Sequence, residues 1–361
     1  MRWLRWAHAW AGAAAALVLI LIGVTGAALT LREPLTELRL PALADTQPVT
    51  SSAALAADLE TIDRLAGAEG WSSVVFASPG RPWHHVRFPG HHEAYLVPGA
   101  AQFADRFDPL TRPESLLFEL HTALALGPAG EAAVGLFALT GFLLLVTGLI
   151  IWLWGPKRLR LSALDSRRAM IDAHNFIGVT VFAPLLLFVA TGVMMNYSGT
   201  GKAVFTAVLG GDAPQPAPVY SGSGQTPDWG RAVATADAAF DGDRLTIAWP
   251  PSGGAPAGFR MKQAGEWHPN GRTRVLVDDD GALLYAYDAQ AAATGERAWN
   301  AVYPWHSGRL NIWHRILAFL TGAALTASSA IGLIAFVRKH MRARSRRRAR
   351  LAVADLSRSP G

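Results

Sequence analysis

Four long stretches of the chain, residues 7–31, 132–154, 173–201 and 316–337, contain no Asp, Glu, Lys or Arg. Each exceeds the ~20 apolar residues that a helix needs to cross the hydrocarbon core of a bilayer. Buried helices of soluble proteins rarely run so far without a charge, so four transmembrane helices are expected. The segments between them, residues 32–131 and 202–315, follow a different pattern. The first begins with a helical period over 51–68. Short strand-like runs follow at 73–76, 83–88, 94–97 and 102–107, punctuated by Pro and Gly. The second repeats that order. Asp228 is placed to cap a helix reaching Phe240. Strand runs follow at 245–249, 258–263, 273–277 and 283–287, with Asp280-Gly281 as the turn between the last two. Each segment reads as a small α+β domain, one helix on an antiparallel sheet. Residues 209–226, rich in Gly, Pro and Ser, read as a linker. The expected architecture is a mainly α membrane protein, a four-helix transmembrane bundle with two α+β domains made by internal duplication.

Charge gives this architecture a direction. Only 17% of the 361 residues are charged, against about 25% in a soluble domain. Residues 1–10, 155–173 and 338–361 hold 16 Lys or Arg against 3 Asp, a net +13, so the rest of the +6 chain is net −7. Positive flanks stay in the cytoplasm. Both termini and the loop 155–172, with Lys157, Arg158, Arg160, Arg167 and Arg168, are therefore expected there, and both α+β segments on the opposite side. Arg2 and Arg5 precede an apolar run longer than a signal-peptide core, which reads as an uncleaved anchor. The tail holds eight Lys or Arg between Arg338 and Arg350. Beside a transmembrane end this reads as a topology anchor touching anionic lipid, and no nucleic-acid partner is expected. The absence of Cys excludes a disulfide scaffold, thiolate metal sites, iron–sulfur clusters and a cysteine nucleophile.

The duplication extends into the spans. At an offset of 166, His8 aligns with His174, Gly12 with Gly178, and Thr25-Gly26 with Thr191-Gly192. Eighteen residues from each His to its distant Gly make five helical turns, so both lie on one helix face, as does the nearer Gly at i+4. His121-Thr122 aligns more loosely with His306-Ser307, each upstream of its span. His8 and His174 fall at the cytoplasmic ends of spans one and three, and His121 and His306 toward the other face. An ionisable residue in a span is a functional candidate by default. The plain alternative is an interfacial imidazole bonded to water or backbone. A tetrahedral zinc site needs more ligands than either pair supplies. A proton relay would usually include acidic partners within the spans, and these spans have none. A haem needs two axial ligands and a flat apolar slot, and a Gly one turn from each ligand would open one. Bis-histidine ligation of two haems, one near each face, satisfies the spacing best and would make an electron wire across the bilayer.

The motifs His8-Ala-Trp-Ala-Gly12, Phe118-Glu-Leu-His121-Thr122, Asp172-Ala-His174-x3-Gly178 and Pro304-Trp-His306-Ser-Gly308, in this order with two α+β segments between them, resemble the PepSY-associated transmembrane family. That family includes iron-regulated membrane proteins and ferric-siderophore reductases of bacterial inner membranes. The resemblance implies two PepSY-like periplasmic domains, two b-type haems and reduction of chelated ferric iron in the periplasm. Iron is then released because Fe(II) binds hard-oxygen chelators weakly. It further implies His8 and His174 as axial ligands of a cytoplasmic-side haem and His121 and His306 as those of a periplasmic-side haem. The chain departs from the family pattern around residues 310–314, and His314, followed by Gly332 at the same spacing of 18, is the alternate for His306.

Other residues have duller readings. His84, His85, His91 and His92 are expected to be solvent-facing strand and turn residues rather than a metal or siderophore contact. Trp3, Trp6, Trp10, Trp152, Trp154, Trp305 and Trp313 read as an interfacial aromatic belt. Arg5, Arg168, Arg309 and Arg315 stand where haem propionates would emerge. No phosphate-binding glycine loop, nucleotide fingerprint or hydrolytic triad is visible, so electrons are expected from a cytoplasmic partner or a membrane quinol. Two other functions fit the same pattern less well. One is a non-enzymatic anchored protein that binds or restrains a periplasmic partner. The other is a siderophore or metal transporter, disfavoured by spans with no charged path.

Overall fold

The structure, a computed structural model, describes residues 1–44, 46, 51–155, 164–211, 220, 222–223, 225–240, 244–252 and 254–356, with side chains to residue 345. Lys157, Arg158, Arg160, most of the expected linker and the side chains of the last tail arginines lie outside the described residues. The chain divides into two compact units. One contains Met1–Ala28, Leu120–Asn196 and Ile316–Gly361, and the other Leu29–Glu119 and Tyr197–Arg315.

The first unit is helical. It contains α1 (Arg2–Leu29), α5 (Gly127–Leu153), α6 (Arg167–Thr180), α7 (Phe182–Asn196) and most of α11 (Ile312–Leu356). Among the described residues, α1, α5 and the Ile312–Ser345 part of α11 are long and apolar enough to cross a membrane. The third expected span, 173–201, is not one helix. The helix starts earlier, at Arg167, where the Ser166 hydroxyl accepts from the Ala169 N–H, and it breaks at Val181. The two pieces are bent by 72°, and they make a fourth crossing if counted together. Pro184 accounts for the break. It has no N–H to offer, and its ring clashes with the carbonyl four residues back, that of Thr180, which ends α6. Elsewhere the helices approach closely through glycine. A Cβ on Gly23 of α1 would lie 2.6 Å from Thr326 Oγ1 and 2.9 Å from the Gly322 carbonyl of α11. Small residues of this kind let membrane helices bring their backbones together.

The second unit is built on one sheet. Its strands are β1 (Ser73–Val75), β2 (His84–Arg87), β3 (Glu93–Leu96), β4 (Asp105–Phe107), β5 (Arg244–Trp249), β6 (Ala257–Lys262), β7 (Thr273–Val277) and β8 (Leu283–Tyr287). All eight expected strands form, seven within a residue of their sequence positions and β4 starting three residues late, at Asp105. So do the helices α3 (Ser52–Ala66), capped by Ser51, and α9 (Trp229–Ala239), capped by Asp228. The two separate α+β domains expected from the sequence do not form as separate sheets. The order is β4-β3-β2-β1-β5-β6-β7-β8, antiparallel throughout. The halves join where Val74 pairs with Ala248 and Val75 with Ile247. The physical reason is the core. Alternation sends Val74, Val86, Ala94, Leu96, Phe259, Met261, Val275 and Val277 to one face. There α3 and α9 cover them as a single cluster with Leu59, Ile62, Trp229 and Val233. Both the Trp71 and the Trp229 indole N–H groups donate to the Asp63 carboxylate, which ties the two halves together.

On the opposite face of the first half, Leu43, Trp83, Tyr95 and Phe107 form a second, smaller cluster. Beside it Arg39, from α2 (Arg32–Arg39), donates to the buried Glu114 carboxylate of α4 (Pro113–Ala123) and to Asp105 at 2.8 Å.

Candidate functional site

Within the helical unit the imidazoles of His8, on α1, and His174, on α6, stand with ring centres 6.3 Å apart and planes at 77°. Each is held by its Nδ1. His8 Nδ1 lies 3.0 Å from Thr147 Oγ1 on α5. The Thr147 hydroxyl spends its proton on the Leu143 carbonyl at 2.7 Å, so its lone pair accepts from His8 Nδ1–H. His174 Nδ1 lies 3.0 Å from both the carbonyl and the hydroxyl of Ser328 on α11. A carbonyl only accepts, so this Nδ1 also carries the proton. In a neutral imidazole protonated at Nδ1, the other nitrogen, Nε2, presents a lone pair, as a metal requires.

Both rings lie against a glycine, tightly at Gly148 and in ordinary contact at Gly332. A Cβ on Gly148 of α5 would lie 3.2 Å from His8 Cε1, and one on Gly332 of α11 would lie 3.5 Å from His174 Cε1. The i+4 glycines leave space one turn along. A Cβ on Gly178 would meet nothing within 4 Å, and one on Gly12 only Leu144 at 3.8 Å.

His121, at the end of α4, has the same kind of seat on α1. Its Nδ1 lies 3.1 Å from the Ile22 carbonyl and 3.2 Å from Thr25 Oγ1. The Thr25 hydroxyl donates to the Leu21 carbonyl at 2.7 Å. A Cβ on Gly26 would stand 2.9 Å from the imidazole. The repeated Thr-Gly pair therefore has a physical meaning. Thr fixes the tautomer of a histidine from another helix, and Gly clears room for its ring. Thr191 donates to the Leu187 carbonyl at 2.7 Å in the same geometry. The sequence does not single out Thr147 or Ser328, because Thr-Gly occurs seven times in the chain and the dipeptide alone does not say which copy meets a histidine.

His306 and His314 belong to the other unit. His306 ends α10 (Thr294–Ser307), one residue before Gly308, whose left-handed φ of 70° turns the chain. His314 opens α11, where its N–H donates to Asn311 Oδ1 at 2.9 Å, and its ring stands 5.6 Å from Trp305. His306 thus lies at the end of one helix and His314 at the start of the next.

The histidine cluster of the first strand segment is corrected. His84 and His85 are buried, not solvent-facing. His84 Nδ1 accepts from the Ala77 N–H and its Nε2 lies 2.9 Å from Asp58, whose other oxygen accepts from the Gly99 N–H. These are packing roles. His91 and His92 are exposed, as expected. Among the described residues no group of three or more His, Asp or Glu is placed to hold a metal alone. Trp3, Trp6, Trp10, Trp154 and Trp313 have exposed rings, as an interfacial belt requires. Arg5 and Arg168 are exposed, Arg309 pairs with Glu33, and Arg315 lines a cleft with Glu33 and Glu37.

With their Nδ1 atoms tied back, the two imidazoles would each have Nε2 left to offer a metal atom. A nitrogen–metal bond of about 2.0 Å, plus about 1.2 Å from nitrogen to ring centre, counted twice, separates the ring centres by about 6.4 Å. The observed 6.3 Å meets that requirement. Two protein ligands leave the equatorial positions to something other than protein. None of the curated proteins compared with the chain matches it. The model of the PepSY-associated TM region matches residues 5–339, and the chain belongs to that family.

Proposed function

We propose that this protein is a di-haem b oxidoreductase of the bacterial inner membrane. It carries electrons from a quinol or a cytoplasmic donor to an acceptor on the far side, chelated ferric iron of the siderophore kind. Both termini face the cytoplasm in this reading, and the sheet unit lies in the periplasm as paired PepSY-like halves. The observation that supports it most is the His8–His174 pair, two Nδ1-held imidazoles 6.3 Å apart. The open sides of Gly12 and Gly178, one turn from each ligand, fit a planar group lying between the helices.

Haem iron alternates between Fe(III) and Fe(II) and so passes single electrons. The residues of this chain do the rest. Thr147 and the Ser328 carbonyl hold the imidazoles in the metal-binding tautomer, which also raises their basicity. Gly148 leaves His8 room to lie close against α5. The apolar spans keep water away. For the second haem the sequence assigns His121 with His306, or His314 in its place, and the Thr25-Gly26 seat prepares His121 as Thr147-Gly148 prepares His8.

The test is the reduced-minus-oxidised absorption spectrum of the purified full chain, with haem counted per chain. Sharp b-type bands and two haems are expected, and His8→Ala should remove about half of the haem. Absence of the bands after expression with ample haem would leave an anchored binding protein as the better reading.

A further inference from the structure

The second half of the sheet carries four cations that form no ion pair among the described residues, with Glu266 the carboxylate whose field reaches Arg260, Lys262 and Arg272. Since Phe259, Met261, Val275 and Val277 face the core, alternation puts Arg260 and Lys262 of β6 and Arg274 of β7, with Arg272 two residues before Arg274, on the opposite face. Arg260 and Arg274 are direct cross-strand partners, an arrangement of like charges that destabilises a sheet. None of the ion pairs among the described residues involves any of the four. The nearest carboxylate in sequence, Glu266, is spent on the loop, where it accepts from the Gln263 and Arg272 backbone N–H groups at 3.0 and 2.9 Å. Lys262 is turned to the Glu266 and His268 carbonyls. The Nε atoms of Arg260 and Arg272 are shut off from solvent and have no acceptor.

His268 lies among them, buried, its ring 5.0 Å from that of Tyr303 on α10. Its Nδ1 accepts from the Asn270 N–H at 3.2 Å, so neutral His268 offers Nε2–H as a donor. Burial first, then Arg272, Arg260, Lys262 and Arg309, hold its pKa down to about 2. The loop reaches the surface, because neighbouring Trp267 is exposed, edge-on to Trp305 at 5.9 Å.

Buried donors without acceptors and cations without counter-charges are costly. A ligand that brings oxyanions to the solvent-reaching parts of these side chains supplies the missing counter-charge, and guanidinium forks match carboxylates in geometry. We propose that Arg260, Arg272 and Arg274, with His268, form a binding site for the carboxylate arms of an anionic metal chelate. That the chelate carries ferric iron rests on the reductase reading above. The anion site itself does not.

The experiment measures equilibrium binding of gallium(III) citrate, an anionic chelate that cannot be reduced, to the full chain in detergent. Saturable binding is expected. It should weaken at least tenfold in Arg260→Gln or Arg272→Gln and fall as salt rises, with less loss in Arg272→Lys, which keeps the charge but not the fork. No binding, or equal affinity in folded R260Q/R272Q, overturns the proposal. Competition by inorganic phosphate or anionic vesicles at far lower concentration than the citrate chelate overturns the carboxylate assignment. Thermal melts and the haem spectrum of each variant report folding. Gallium citrate binding by a chain that contains no haem keeps the site and removes the reductase reading, so the two fail separately.

Discussion

In the helical unit, the two repeats set the same residue at the same place for one shared purpose. His8 and His174 come from matching helices and face each other across 6.3 Å. In the sheet unit, matching hairpins have parted company. In the β2–β3 hairpin, Arg87 stands directly opposite Glu93, an opposite-charge pair. In the β6–β7 hairpin, on the same face, Arg260 stands opposite Arg274. Around the first hairpin, Arg39, Arg106 and Arg112 each have a carboxylate. Around the second, four cations form no ion pair among the described residues, and Glu266 is left to act on three of them from a distance. A shared histidine pair constrains both copies of a repeat, since each ring is placed against the other. The outer strands β6 and β7, away from the β1–β5 seam and with their cations on the face opposite the shared core, are under no such constraint and are free to acquire a ligand of their own.

The sharpest way to break this comparison is to remove one cation from each half. Arg39→Ala leaves Glu114 buried and unpaired, which should cost about 3 kcal/mol. Arg260→Gln relieves a repulsion and should change stability by less than about 0.5 kcal/mol, or raise it. Thermal or denaturant melts of the two variants decide this, and equal destabilisation would mean that Arg260 has a counter-charge.

A second prediction concerns the helical unit, where the two histidine seats differ in kind. Thr147→Val removes the side-chain acceptor of His8, whereas Ser328→Ala leaves the backbone acceptor of His174 in place. Haem retention should therefore fall about tenfold in Thr147→Val and much less in Ser328→Ala. Equal losses would show that the Ser328 hydroxyl, not its carbonyl, holds the ring.

The smallest effect is one of pH. His268 has its folded pKa depressed from 6.5 to about 2 by burial and neighbouring cations. Its contribution to stability is complete above pH 6.5 and is lost as the pH falls below that value, because the unfolded chain takes up a proton that the folded one refuses. His268→Gln should flatten that part of the stability profile in melts between pH 7 and pH 5. An unchanged slope would show that other groups set it.

Most strands and helices were legible because their signals are local. Asp228 and Ser51 cap helices whether or not anything packs on them, and β7 and β8 form over the residues that alternation and the Asp280-Gly281 turn mark out. The joining of β1 to β5 was not legible. Neither strand carries a mark that names its partner, and the pairing follows from α3 and α9 sharing one core. The break at Val181 was legible in principle, since Pro184 is in the sequence, but apolar content alone reads straight through it. At the candidate site, His8 and His174 stood out by the repeat. Thr147 and Ser328 stayed hidden because their role depends on which helix lies alongside which. His84 and His85 misled because a polar residue in a strand is usually wet, and here Asp58 and a backbone N–H meet His84 inside.

The seam between the halves pairs β1 with β5, the first strand of each repeat, in antiparallel fashion. Such an edge is complementary to itself. A chain cut down to one repeat would keep the edge and lose its cover, and it would associate with a second copy of itself. Covalent linkage of the two repeats turns that encounter between molecules into a fold within one molecule, independent of concentration. It also allows an asymmetry that no homodimer of identical chains could carry.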